Sequence, residues 1–122
     1  MIDAGNSEDH ANYFIQRTIK HESAKHDLVL LTHWHWDHIF GLPALPDTVS
    51  IASAKTRKEM EKLVPFSWSD EAIKEEYQDH RDIKVVLPDV MFDQRMEIDL
   101  GGVTCVVQHV GGDHAIQHKI IF

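Results

Sequence analysis

The stretch Thr32-His33-Trp34-His35-Trp36-Asp37-His38 constrains this chain more than any other. It follows a short apolar run, Asp27-Leu28-Val29-Leu30-Leu31-Thr32, whose length and composition predict a buried strand. A loop leaving a buried strand is where a fold tends to display functional side chains. His33 and His35 are two residues apart, so in extended backbone both imidazoles project to the same side and can share one ion. Asp37 and His38 lie one turn further on, placing a carboxylate and a third imidazole beside that pair. Ten histidines in 122 residues, set against a single cysteine, point to nitrogen and oxygen ligands and hence to metal chemistry.

The remaining chain reads as one continuous unit over residues 1–122, without repeat, linker or low-complexity tract. Met1-Ile2-Asp3-Ala4-Gly5 reads as a strand end running into a turn. Ser7 then caps a helix whose apolar face carries Ala11, Phe14, Ile15 and Ile19. A strand is expected at 49–52, followed by a charged helix to Leu63, capped by Ser53 and supported by a Lys55–Glu59 pair. Ser67 and Asp70 suggest a capping box for another helix, to about Tyr77. Strands are then expected at 83–87, 90–92, 96–100 and 103–110, with Gly101-Gly102 as a hairpin turn. The end at Ile120-Ile121-Phe122 falls in the middle of what reads as a strand.

A second candidate site is His109-Val110-Gly111-Gly112-Asp113-His114, where the glycine pair turns the chain so that His114 can return over the strand end. On its own this string reads equally well as a turn with a solvated histidine. His10, His21, His26 and His80 sit among charged residues and are read as solvated, and Cys105 as a small buried apolar side chain.

In order, Ile2-Asp3-Ala4-Gly5, then Thr32-His33-x-His35-x-Asp37-His38, then Gly112-Asp113-His114, the chain resembles the metallo-β-lactamase-fold hydrolases. The resemblance implies an α/β (α+β) fold, half of an αββα sandwich, with a mixed β-sheet and helices on one face. It implies a binuclear zinc site in which His33, His35 and His114 hold one ion and Asp37 and His38 the other, with Asp3 bracing the ligand loop from behind. A complete site of this kind holds two zinc ions, and this chain is expected to hold one or two. The activity implied is hydrolysis of a thioester, lactone, β-lactam or phosphodiester by a metal-bound hydroxide, with Asp37 orienting the nucleophile. Trp34 and Trp36 are candidate pocket walls, and His109 could line the site.

The later aspartate that bridges the two metals in such proteins, and their last histidine, have no counterpart before Phe122. The alternative is therefore a non-catalytic or incomplete metal-binding fragment, needing a partner chain or a missing C-terminal half. The strands at 27–32, 83–87 and 103–110 are expected to form one sheet with one face bare, which predicts self-association. A net charge of −8, from 12 basic and 20 acidic residues, weighs against nucleic-acid and anionic-membrane surfaces and leaves a small-molecule substrate. No apolar run approaches the roughly 20 residues of a membrane span. The opening residues lack the features of a secretory signal, and with one cysteine the expected location is the cytoplasm.

Overall fold

The computed structural model describes residues 1–19, 27–65, 83–111 and 118–121. Its elements run α1 (Glu8–Ile19), β1 (Leu28–Leu30), α2 (Trp36–Ile39), a 3-10 turn (Leu42–Ala44), β2 (Val49–Ser53) and α3 (Ala54–Leu63). Four strands follow: β3 (Val90–Phe92), β4 (Arg95–Asp99), β5 (Thr104–His109) and β6 (His118–Ile121). The helix expected from Ser67 lies outside the described residues, as do His21, His26, His80 and His114.

Local chemistry sets the helix starts. Ser7 Oγ accepts a hydrogen bond from the His10 amide at 3.1 Å, and Ser53 Oγ accepts one from the Thr56 amide at 3.0 Å, each satisfying a first-turn donor. Among the described side chains of α1 Ala11 is buried, and Phe14 is exposed. On α3 the expected Lys55–Glu59 pairing gives way to other partners. Glu59 accepts from Lys62 at 2.7 Å, Arg57 donates to Glu61 at 3.0 Å, and Lys55 Nζ donates to His109 Nε2 at 3.2 Å.

The strands divide between two three-stranded sheets. In the first, β1, β2 and β3 lie side by side and parallel, with Leu30 opposite Ile51 and Ile51 opposite Val90. Residues 1–3 extend this sheet beyond β1, as Leu30 N donates to Met1 O at 3.0 Å and Asp3 N to Leu30 O at 2.9 Å. In the second, β4, β5 and β6 are antiparallel, and β4 and β5 are joined through Gly101-Gly102, both at positive φ. That geometry is what a two-residue hairpin turn requires.

The expected single sheet is thus corrected. Strand β1 and strand β5 belong to different sheets, and residues 83–87 form no strand. Ile83, Val85, Val86 and Leu87 instead pack their half-buried side chains against the helix-side core, so burial is met without a ladder.

Three layers result. On one face of the parallel sheet Val29, Leu31 and Ala52 pack with Ile39, Phe40, Leu42, Leu45 and Met60 from the helices and connections. On the other face Leu30, Ile51 and Phe92 meet Cys105 and Val107 of the second sheet. The face expected to be bare is therefore covered within the chain. Cys105 is buried there, and burial pushes its thiol pKa up, as expected of a small apolar core residue. Among the described residues no helix is long and apolar enough to cross a membrane.

Candidate metal centre

Strand β1 ends at Leu30, and the chain leaves the C-terminal edge of the parallel sheet as an extended segment. His35 keeps extended backbone (φ −67°, ψ 149°) and serves as N-cap to the single turn of α2. This geometry brings the predicted ligands of the loop together. The rings of His33 and His35 are edge-on with centroids 4.7 Å apart, and those of His33 and His38 are 4.0 Å apart. Asp37 Oδ2 stands 3.3 Å from His38 Nε2.

A carboxylate from a distant part of the sequence holds this loop. Asp3 has φ +54°, a left-handed conformation uncommon outside glycine. Asp3 Oδ1 accepts from the Thr32 amide at 2.7 Å, and Oδ2 accepts from the Thr32 hydroxyl at 2.8 Å. Asp3 Oδ2 also lies 2.8 Å from His38 Nδ1. The adjoining turn is locked by the Ala4 amide donating to His38 O at 2.8 Å and the Gly41 amide donating to Gly5 O at 3.1 Å. The approach is so close that a Cβ on Gly41 would stand 2.0 Å from the Ala4 carbonyl oxygen.

His33 is buried, and that burial, reinforced by His38 and His35, holds its imidazole below the ordinary histidine pKa. At neutral pH it is therefore in the neutral form that ligates metals. Among the described residues no three His, Cys, Asp or Glu side chains are arranged to hold one ion as they stand. The donor chemistry nonetheless suits zinc, being imidazole and carboxylate. The second ring nitrogen of His38 meets a carboxylate, as metal-binding histidines commonly do.

The other predicted site residues fall differently. Trp34 and Trp36 pack against the helix-side core, and the Trp34 ring meets His35 edge-on at 4.7 Å. His109 sits at the end of β5 and takes the Lys55 contact. A cavity of about 220 Å³ opens beside Asp37 and His38, walled by Asp3, His10 and Phe14 and floored by Met1 and Ile2. His10, read from sequence as simply solvated, is thus exposed at a cavity that also touches two candidate ligands. Thr32, which opens the motif and has no ligand role in the sequence reading, places its hydroxyl within hydrogen-bond distance of Asp3 and His33.

The sequence profile of the metallo-beta-lactamase superfamily matches residues 1–120. The chain belongs to that superfamily. Among solved structures it is similar to a metallo-beta-lactamase from Pontibacter korlensis, at 18% identity and a TM-score of 0.68 over 99% of this chain and 49% of that one. A metallo-beta-lactamase from Cronobacter sakazakii gives 23% identity and a TM-score of 0.66 over 98% and 46%. A stereoselective inverting sec-alkylsulfatase from Pseudomonas sp. gives 15% identity and a TM-score of 0.73 over 99% and 24%. These likenesses establish the fold, a metallo-beta-lactamase-type fragment. This superfamily member spans about half the length of the metallo-beta-lactamases it matches and a quarter of the sulfatase. No curated protein matches the chain.

Proposed function

We propose that this chain carries the zinc-binding half of a metal-dependent hydrolase site. The observation that carries the reading is the convergence of His33, His35, Asp37 and His38 on one loop, braced by a single carboxylate 35 residues before His38. His33 and His35, with His114, would hold a first zinc ion, and Asp37 with His38 a second. Zinc, when bound, supplies a Lewis acid that polarises a substrate oxygen and lowers the pKa of water from 15.7 to about 7.

The protein's own groups supply the rest. Burial of His33 keeps that ring neutral, and Asp3 holds the His38 ring in place by its Nδ1. Asp37, nearly half exposed, presents a carboxylate to the cavity, where it can orient a water molecule and accept its proton. The cavity pairs that polar wall with Met1, Ile2 and Phe14, which suits a small substrate carrying an apolar group beside its carbonyl, phosphoryl or sulfuryl centre. The sulfatase and lactamase neighbours are named for different substrates, and the substrate class stays this broad.

Because the chain covers 49% of the lactamase it resembles, a second reading is a metal-binding half-site completed by residues beyond these 122 or by another chain. Elemental analysis of the purified protein tests both. Two zinc ions per chain favour a complete centre, and one favours the half-site. His33→Ala and His35→Ala are each expected to lose most of the bound zinc, while Lys58→Ala, on the exposed side of α3, keeps it. Equal zinc in all of them would overturn the assignment.

A further inference from the structure

The hydrogen bonds behind the loop fix more than its position. Asp3, as a carboxylate, can only accept. The Thr32 hydroxyl has one proton and lies 2.8 Å from Asp3 Oδ2 and 3.0 Å from Asp3 Oδ1, so that proton is directed to Asp3. The same oxygen lies 3.0 Å from His33 Nδ1. With its proton committed, Thr32 Oγ1 can only accept from that nitrogen, and His33 must carry its proton on Nδ1. His38 Nδ1, at 2.8 Å from Asp3 Oδ2, must likewise carry a proton, while its Nε2 faces Asp37 Oδ2 at 3.3 Å. The opposite tautomer of His33 would set two lone pairs against each other at 3.0 Å, or pull the hydroxyl proton away from Asp3.

We infer that Thr32 is a positioning residue that relays the acceptor character of Asp3 to His33, so that one carboxylate fixes a proton on Nδ1 of two imidazoles and leaves Nε2 as the nitrogen of each that a metal ion would take. The relay rests on the metal-site reading only for its purpose, since the tautomers exist without metal. It also assigns work to the first residue of the motif, whose proton goes to Asp3 and one of whose lone pairs accepts from His33, with His38 Nδ1 3.5 Å away.

The test uses the metal-free chain first. Two-bond proton–nitrogen correlation spectra of the histidine rings are expected to show His33 and His38 protonated on Nδ1. Thr32→Val keeps the shape and removes the hydroxyl, and should shift His33 toward the Nε2-protonated form while leaving His38 unchanged. Thr32→Ser keeps the hydroxyl and should restore the wild-type ring spectrum. Titration with Zn²⁺ alone then follows by calorimetry. Thr32→Val is expected to bind about 10- to 100-fold more weakly, the usual loss when a ligand's supporting hydrogen bond is removed, and Thr32→Ser to recover most of it. A wild-type His33 protonated on Nε2 would overturn the relay, and this needs no variant to fold. So would a Thr32→Val protein whose His33 tautomer and zinc affinity match wild type. A wild-type chain with both rings protonated on Nδ1 that binds no zinc would uphold the relay and sink the metal-site reading.

Discussion

Along β1 and into the residue after it, Val29, Leu30 and Leu31 are buried in succession, whereas along β4 Arg95, Glu97 and Asp99 are exposed and only Met96 and Ile98 turn inward. The first pattern belongs to a strand covered on both faces, by helices on one side and by the second sheet on the other. The second belongs to a sheet with one wet face. Strand β1 is apolar throughout, so its polar side chains come only past its end, and Thr32–His38 begins there. The comparison explains why the chemistry gathers at the C-terminal edge of the parallel sheet while the antiparallel sheet closes the core.

Breaking each region at a glycine should show the difference most strongly. Gly41→Ala would drive a methyl group into the Ala4 carbonyl and separate the Asp3 turn from α2, with an expected loss of about 3 kcal/mol in a denaturant titration. Gly101→Ala, in the hairpin of the second sheet, meets nothing within 4 Å and faces only the strain of its positive φ, about 1 kcal/mol. Comparable losses for the two would show that the turn is not as tightly docked as the geometry requires.

Truncating one side chain in each sheet sharpens the contrast at smaller scale. Leu31→Ala empties a fully buried site and should destabilise by about 3 kcal/mol. Met96→Ala, half-buried at the edge of the intersheet core, should lose about 1 kcal/mol, because neighbours and solvent can fill the space. A Met96→Ala loss equal to that of Leu31→Ala would mean that the inward face of the second sheet is as tightly packed as the helix-side core.

Some of this was legible in the sequence, and the reasons differ by element. Alternate spacing put His33 and His35 side by side, and the rings do meet. Ser7 and Ser53 marked helix starts because capping is a local event that neighbours in sequence complete. Gly101-Gly102 marked the hairpin for the same reason. The partition of strands into two sheets was not legible, because an apolar run carries no record of its pairing partner. Residues 83–87 are as apolar as a strand, yet they satisfy that character by packing alone. The resemblance suggested that Asp3 braces the loop, but nothing in its spacing named Thr32 and His38 as its partners. Its left-handed φ, visible only in the fold, is what aims the carboxylate there. His10 looked solvated for a similar reason, since a cavity is a property of surfaces and not of neighbours in sequence.

The smallest expected effect concerns the seam between β2 and β3. Asp89 Oδ2 accepts from the Ser50 amide at 2.8 Å and from the Ser50 hydroxyl at 2.9 Å, and these bonds hold its pKa below the ordinary aspartate value. A carboxylate with a depressed folded pKa contributes stability in full above its unfolded pKa, near 3.9, and loses it as pH falls through the folded value. Wild type should therefore exceed Asp89→Asn in stability at about pH 6, and the gap should narrow progressively as pH falls below about 3.9. A gap that stays constant in paired thermal melts would place the benefit of Asp89 in shape alone.

The strained turn at Asp3 has a consequence for motion. Asp3 reaches the ligand loop only while residues 1–3 lie alongside β1, held by two backbone hydrogen bonds to Leu30. If that short segment lifts, Thr32 and His38 lose their common acceptor together, although neither side chain has been touched. Exchange of the Asp3 amide with solvent should thus count the same opening events that release the two rings. A ligand that fixes those rings would slow that exchange in proportion to its own affinity, making a backbone proton at the sheet's edge a gauge of how fully the loop is occupied.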